Sequence, residues 1–416
     1  MTSRERVLAA IGHREADRVP VDMGATPSSG ISAIAYNNLL GHLGIKNEVA
    51  RVYDVVQQLA QPSDAIIDHF GIDVLDVGRM FNTEAADWRP VTLFDGSAAY
   101  YPSWFHPEPT PDGGYAVRAA DGQEIAIQLK GMNFYDQSCF VWQDDYPADM
   151  RDLPAAMAKV HWAALAHSPW DAAGHPDFWQ LLRERALALR AQSDRALMIV
   201  VGCNLFEWGT FLRRIDNFLM DLIAEPENVD ALLDALMAVH MQTLEKVCAA
   251  VGDVVDVCRF GDDLGTDTGP FMAPATYRRF FKPRHSQLCA YVHKHSQMKT
   301  FLHSCGSIHA LLPDLIECGF DVINPVQTAC RDMEAEKLKK DFGKDITFWG
   351  GGCDTRSILN HGSPAQVRDD VRRRLDILMP GGGFVFNTIH NILPDVPPEN
   401  IEAMFQAVQE FGGYET

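Results

Sequence analysis

Eight short β-rich runs recur along this chain, and longer stretches with helical spacing separate them. They are RVPVDMG (18–24), DVLDVG (73–78), RALMIVVGCN (195–204), VVDVCRFGD (254–262), MKTFLH (298–303), DVINPV (321–326), DITFWG (345–350) and GFVFNT (383–388). Helix starts fall between them: Pro274 opens PATYRRFFKPRH, Ser363-Pro364 opens SPAQVRDDVRRRLDIL, and Pro397-Pro398 opens PPENIEAMFQAV. Proline suits a first helical turn, where its missing N–H costs no bond. Strand and helix in alternation imply right-handed βαβ units around a parallel sheet. Eight units favour closure into a (β/α)8 TIM barrel over an open sheet. No G-x-G-x-x-G follows an early strand to support a dinucleotide-binding alternative. The expectation is an α/β fold, one barrel domain over residues 1–416.

The spacing of the runs is uneven. More than a hundred residues separate the second run from the third, which predicts an insertion over about residues 80–194. Within it DGGYAVRAADGQEIAIQL (112–129) reads as a hairpin, with D-G turns between alternating runs. The insertion is rich in aromatics, among them Trp88, Tyr101, Phe105, Phe134, Tyr135 and Trp142. They fit a pocket wall or a satellite core equally well.

Charge narrows the partners. A formal net charge of −20 argues against nucleic acid or an anionic membrane, both of which need a basic footprint. No apolar run is long enough to span a bilayer, and the polar N-terminal helix lacks the apolar core of a signal peptide. Nine irregularly spaced cysteines read as reduced thiols, so a cytoplasmic location is expected. Dimerisation through helical faces is left open.

In a barrel of this kind, residues at the C-terminal strand ends converge on the functional site. The third strand ends in Gly202-Cys203-Asn204 and continues to Glu207; the fourth ends in Arg259, Asp262 and Asp263. The fifth ends in His303-Ser304-Cys305, the sixth in Asn324, the seventh in Cys353 and Asp354, the eighth in His390 and Asn391. On an extended chain residues i and i+2 share a face, so His303 and Cys305 reach one ion together. Two imidazoles and two sulfurs at one mouth suit Zn²⁺. The paired aspartates Asp262 and Asp263 read as helix N-caps or satisfied loop carboxylates, and at most one of them should face the mouth. We assign Asp262 and Glu207 as catalytic or exchangeable-ligand carboxylates, and Asn324 and Asn391 as substrate-binding.

The segments GDDLGTDTGPFMAPATYRRFFKPRH, FLHSCGSI, ITFWGGGCDTRSIL and GGGFVFNTIHNILPDVPPENIEAM together resemble the uroporphyrinogen decarboxylase superfamily, and more narrowly its cobalamin-dependent methyltransferase branch. The resemblance runs from about Pro20 onward and is strongest after Met198. It implies a single (β/α)8 barrel and a zinc ion bound by an H-x-C element plus a cysteine near the last strand. His303 and Cys305 match the first element. Where that branch carries its second cysteine, this chain has His390, and Cys353 lies one strand earlier. The metal set is therefore His303 and Cys305 with Cys353, His390 or both.

The resemblance further implies methyl transfer between a corrinoid (cobalamin) cofactor and a small substrate, either a thiol or a methylated, for instance methoxylated, compound. No corrinoid-binding D-x-H-x-x-G element is present, so the cobalamin is expected from a partner corrinoid protein. Two alternatives stand beside this reading. One is a metal-free decarboxylase-like lyase using His390 and Asp262; the other is a non-catalytic barrel that docks a corrinoid protein. Against the first, the segment RVPVDMGATPSSG (18–30) supplies only Arg18, while a polyanionic porphyrin wants several arginines.

Overall fold

The computed structural model describes residues 1–414. Seven parallel strands form one curled sheet in sequential order: β1 (Val74–Asp76), β2 (Ala196–Gly202), β3 (Val257–Gly261), β4 (Lys299–His303), β5 (Val322–Asn324), β6 (Thr347–Trp349) and β7 (Phe384–Val385). Each is followed by helix before the next, as parallel neighbours require. The helices used below are α1 (Ser3–Ile11), α2 (Phe178–Gln192), α3 (Phe206–Arg213), α4 (Pro226–Val251), α5 (Lys282–His295) and α6 (Pro364–Leu378).

The first of the eight expected strands is present without a ladder. Residues 19–22 lie between β7 and β1: Phe386 donates to Pro20 at 2.8 Å, Asp22 to Phe386 at 2.9 Å, and Asp73 to Val21 at 2.8 Å. The Val21 N–H is taken by the Asp73 carboxylate at 2.8 Å, so a side chain replaces one rung. Arg18 forks onto the same carboxylate at 2.7 and 3.0 Å, and Arg6 of α1 reaches it at 2.6 Å. Side-chain charge thus stitches the sheet into a barrel.

Alternation along each strand sorts the side chains. Val74, Ala196, Met198, Val257, Phe301, Val322, Trp349 and Val385 point inward and form an apolar layer, which Val7, Ala10 and Ile11 of α1 plug from below. Outward residues such as Leu197, Cys258, Leu302 and Ile323 pack under the helices. One pleat above the apolar layer, the inward face becomes polar: Asp76, Arg259, His303 and Asn324 follow Val74, Val257, Phe301 and Val322 at i+2. This polar layer is the floor of the mouth.

Between β1 and β2 the expected insertion builds two antiparallel sheets. Trp88–Thr92 pairs with Ala98–Pro102, and Tyr115–Arg118 pairs with Glu124–Gln128 in the anticipated hairpin. Its aromatics serve both roles. Phe105, Tyr135 and Trp142 are buried in the core, whereas Phe134 and Phe140, with Trp162 and Phe211, line a cleft of about 370 Å³. All nine cysteines are free thiols, and among the described residues no helix is long and apolar enough to cross a membrane.

Candidate metal centre

His303 ends β4, and its imidazole is fixed from below. Nδ1 lies 2.7 Å from Oδ1 of Asn324, whose Nδ2 donates to the Trp349 carbonyl at 2.8 Å. The amide therefore turns its oxygen to the ring, which must donate from Nδ1. Nε2 is left with its lone pair, aimed at Cys305 Sγ 3.4 Å away. Metal-binding histidines are characteristically held this way, the second nitrogen bonded to an oxygen acceptor. Burial, aided by the Arg259 charge, pushes the His303 pKa down to about 3, so the ring stays neutral.

His390 completes a cluster in which the ligand-capable atoms of His303, Cys305 and His390 lie within 4.8 Å of one another. The two rings stand edge to face, centroids 5.4 Å apart. Burial and the neighbouring His303 also lower the His390 pKa to about 3. In a tetrahedral zinc site with bonds of ~2.0–2.3 Å, ligand atoms sit roughly 3.5 Å apart. The His303–Cys305 separation meets that spacing, and closing on His390 takes a small inward shift. Burial, with Asp263 and Glu207 adding to it, raises the Cys305 thiol well above its ordinary value. A cation among these groups reverses that, because it binds the thiolate.

The loops carrying Asp263 and Cys305 touch. A Cβ on Gly306 would come within 2.3 Å of the Gly265 backbone, so both positions need glycine for the loops to close. The contact sets Asp263 Oδ1 to accept from Cys305 N at 2.8 Å and places it 3.5 Å from His303 Nε2. Glu207, on the first turn of α3, joins them. Burial, then Asp263 and Asp262, raise its pKa well above the carboxylate range, while Asn204 Nδ2 donates to Oε2 at 2.5 Å.

Several assignments change. Asp262 is fully buried and turned away from the cluster; it accepts from Phe206 N at 3.0 Å and Glu207 N at 2.9 Å, capping α3, with His285 Nε2 at 3.3 Å. The mouth-facing carboxylate is Asp263, because inward positions on β3 run 257, 259, 261, 263. Asn324 and Asn391 have both amide oxygen and nitrogen engaged within the chain. Asn324 orients His303 and takes a bond from Ser28 Oγ; Asn391 accepts from Gly30 N at 2.8 Å and donates to Gln57 at 2.9 Å. Cys353 lies outside the cluster, wholly buried beside Asp370 of α6. The glycines before it swing the chain away from the mouth, Gly350 and Gly351 both having positive φ.

Comparison with known proteins bears on this arrangement. The family profile described as Uroporphyrinogen decarboxylase (URO-D) matches residues 203–411. The chain is 28% identical over 160 residues to a methylcobamide:CoM methyltransferase, MtaA, of Methanosarcina barkeri, a match covering 38% of this chain and 42% of that protein. It is 25% identical over 190 residues to a uroporphyrinogen decarboxylase of Pelobacter propionicus, covering 45% of this chain and 51% of that protein. The chain thus spans about half or less of the length of these curated relatives. A solved methyltransferase structure from Methanosarcina mazei shares the fold over 99% of both chains, with a TM-score of 0.59 and 17% identity.

Proposed function

Since the chain belongs to the uroporphyrinogen decarboxylase family, we propose that it is a methyltransferase of the corrinoid-dependent branch, acting on a small substrate at a zinc ion held by His303, Cys305 and His390. The observation that carries this reading is the donor set itself. Two uncharged imidazoles and a thiol converge from two strand ends, one ring already oriented by Asn324. Nitrogen and sulfur donors in that number suit zinc and leave a fourth position open. Bound there, zinc supplies Lewis-acid chemistry, holding a substrate thiol as thiolate or drawing electrons from a methylated heteroatom, with a partner corrinoid exchanging the methyl group.

The chain's own residues act around that point. His303 and His390 present lone pairs without first losing a proton, because burial keeps them neutral. Cys305 gives up its proton on ligation. Asp263 stands within reach as an exchangeable fourth ligand. Burial and the neighbouring Asp263 and Asp262 favour the protonated form of Glu207, the form able to give a proton to a leaving heteroatom. The aromatic cleft of the insertion abuts the mouth through Gln57, which lines the cleft and bonds Asn391, and it offers a wall for a flat substrate.

A porphyrin decarboxylase reading finds less support. Arg18 is spent on Asp73 and the Gly71 carbonyl at the barrel seam, away from the mouth. Elemental analysis decides between the readings: about one zinc per purified chain, lost in Cys305→Ala, is expected. Metal-loaded protein should change the visible spectrum of methylcobalamin in the presence of a thiol or corrinoid acceptor system. Metal-free protein that decarboxylates uroporphyrinogen would overturn the proposal.

A further inference from the structure

The polar layer holds one charged group that the metal cluster does not use. Arg259 projects inward from the middle of β3, and its Nε is buried without a hydrogen-bond partner. Among the described residues no carboxylate lies within ion-pairing distance of its guanidinium. The chain's buried arginines are matched: Arg6 to Asp17 and Asp73, Arg213 to Asp221, Arg374 to Asp370. The nearest carboxylates are engaged elsewhere, Glu207 by Asn204 and Asp263 by the Cys305 N–H. A half-buried guanidinium whose Nε is buried and unbonded, with no anion beside it, calls for a partner the chain does not supply.

Glycine sets where the guanidinium lies. A Cβ on Gly261 would meet Arg259 Nη1 at 3.0 Å, so the guanidinium folds into the space glycine leaves. Gly261 is the ladder neighbour of His303, which puts the guanidinium beside the metal-facing imidazole. A second unpartnered group lies on the same floor. The Tyr53 hydroxyl is buried without a bond, in the small space beside Val74, Asp76 and Ser168 above β1. Between β1 and β3 the inward residue paired with Arg259 is Val200, which offers neither group a partner.

We propose that Arg259, seconded by the Tyr53 hydroxyl, binds the carboxylate of the substrate, so that the enzyme takes small carboxylic acids with the anionic end on the barrel floor and the reacting end at the cluster. A planar guanidinium matches a carboxylate with two parallel N–H donors, and a phenol adds a third. This inference rests on the proposed reading of His303, Cys305 and His390 as the reacting centre.

The test is equilibrium binding of 4-methoxybenzoate and its neutral isostere 4-methoxybenzamide to the purified, metal-loaded protein. Wild type should bind the acid at least about tenfold more tightly than the amide. Arg259→Met should abolish that preference without changing zinc content, Arg259→Lys should keep part of it, and Tyr53→Phe should reduce it several-fold. Should Arg259→Met melt without cooperativity, Arg259→Lys and Tyr53→Phe carry the comparison. In Cys305→Ala the acid should still bind; loss of acid binding together with the metal would place the carboxylate on the ion and overturn the proposal. A wild type with no preference for the acid overturns it equally. Arg259-dependent acid binding by a protein that holds no zinc would defeat the functional reading and leave this one standing.

Discussion

Replacing either member of the Asp262-Asp263 pair with alanine should have opposite consequences, although the residues are adjacent. Asp262 has no exposed surface, and its two oxygens accept the Phe206 and Glu207 N–H groups at 3.0 and 2.9 Å. A charge-assisted bond of this kind contributes about 1.5 kcal/mol or more, so the pair contributes roughly 3 kcal/mol. His285, 3.3 Å away and tied to Tyr277, also loses its partner. The total loss for Asp262→Ala is about 3–5 kcal/mol of folding stability, the range for breaking a buried charged network. Asp263 has a side chain 38% exposed and one backbone bond, to Cys305 N. Asp263→Ala should cost only about 1 kcal/mol of stability. It should instead lower zinc affinity and turnover, because it removes the acid facing the cluster. Urea titration followed by tryptophan fluorescence gives the first quantity; metal competition with a chromophoric chelator gives the second. An Asp262→Ala protein as stable as wild type but catalytically dead would refute the division of labour drawn here.

Two further outcomes follow from buried polar groups. Asn324→Ala removes the acceptor that fixes the His303 tautomer and should weaken zinc binding by about 10- to 100-fold, read by the same chelator competition; unchanged affinity would mean the ring orients itself. His240 donates to the Asn204 carbonyl at 2.8 Å, and burial lowers its pKa to about 4. Its unfolded pKa is near 6.5, so between those values the unfolded chain binds a proton the folded chain refuses. Stability should therefore fall as pH drops from about 6.5 toward 4, by up to about 1.4 kcal/mol per unit for this residue. His240→Gln, which keeps a donor, should flatten that slope in urea titrations across the range.

The strands were legible because each is a short apolar run ending in polar residues, and because eight such runs with helices between them admit few topologies. Alternation along a strand also sorts the residues just beyond its ladder. It groups His303 with Cys305, and by the same rule groups Asp263 with Arg259 on the inward face and Asp262 with Cys258 and Phe260 on the outward one. Where glycines remove the alternation, as in WGGGCDT, pattern says nothing about where Cys353 points, and only the fold places it against α6. The engagement of Asn324 and Asn391 was equally hidden, since their partners come from residues such as Ser28, Gly30 and Gln57, hundreds of positions away in the chain. That Arg259 Nε goes unbonded could not be read at all, because a missing partner leaves no mark in sequence.

The barrel seam has a consequence for biosynthesis. The sheet closes where residues 20–22 meet Phe386, and the Val19 N–H donates to the Gly412 carbonyl, also at 2.8 Å. Residues 19–22 are thus held by residues more than three hundred positions later in the chain. Contacts of such long sequence separation form late, since nearly the whole chain must be confined to make them. On the ribosome the edge of residues 19–22 that faces β7 waits unpaired while more than three hundred residues are added, which is when an exposed edge is most open to wrong pairing. His390 emerges within that final stretch. Ring closure and assembly of the three-ligand cluster are therefore nearly simultaneous events, and a nascent barrel offers a metal ion no more than the His303–Cys305 pair until its last strand is in place.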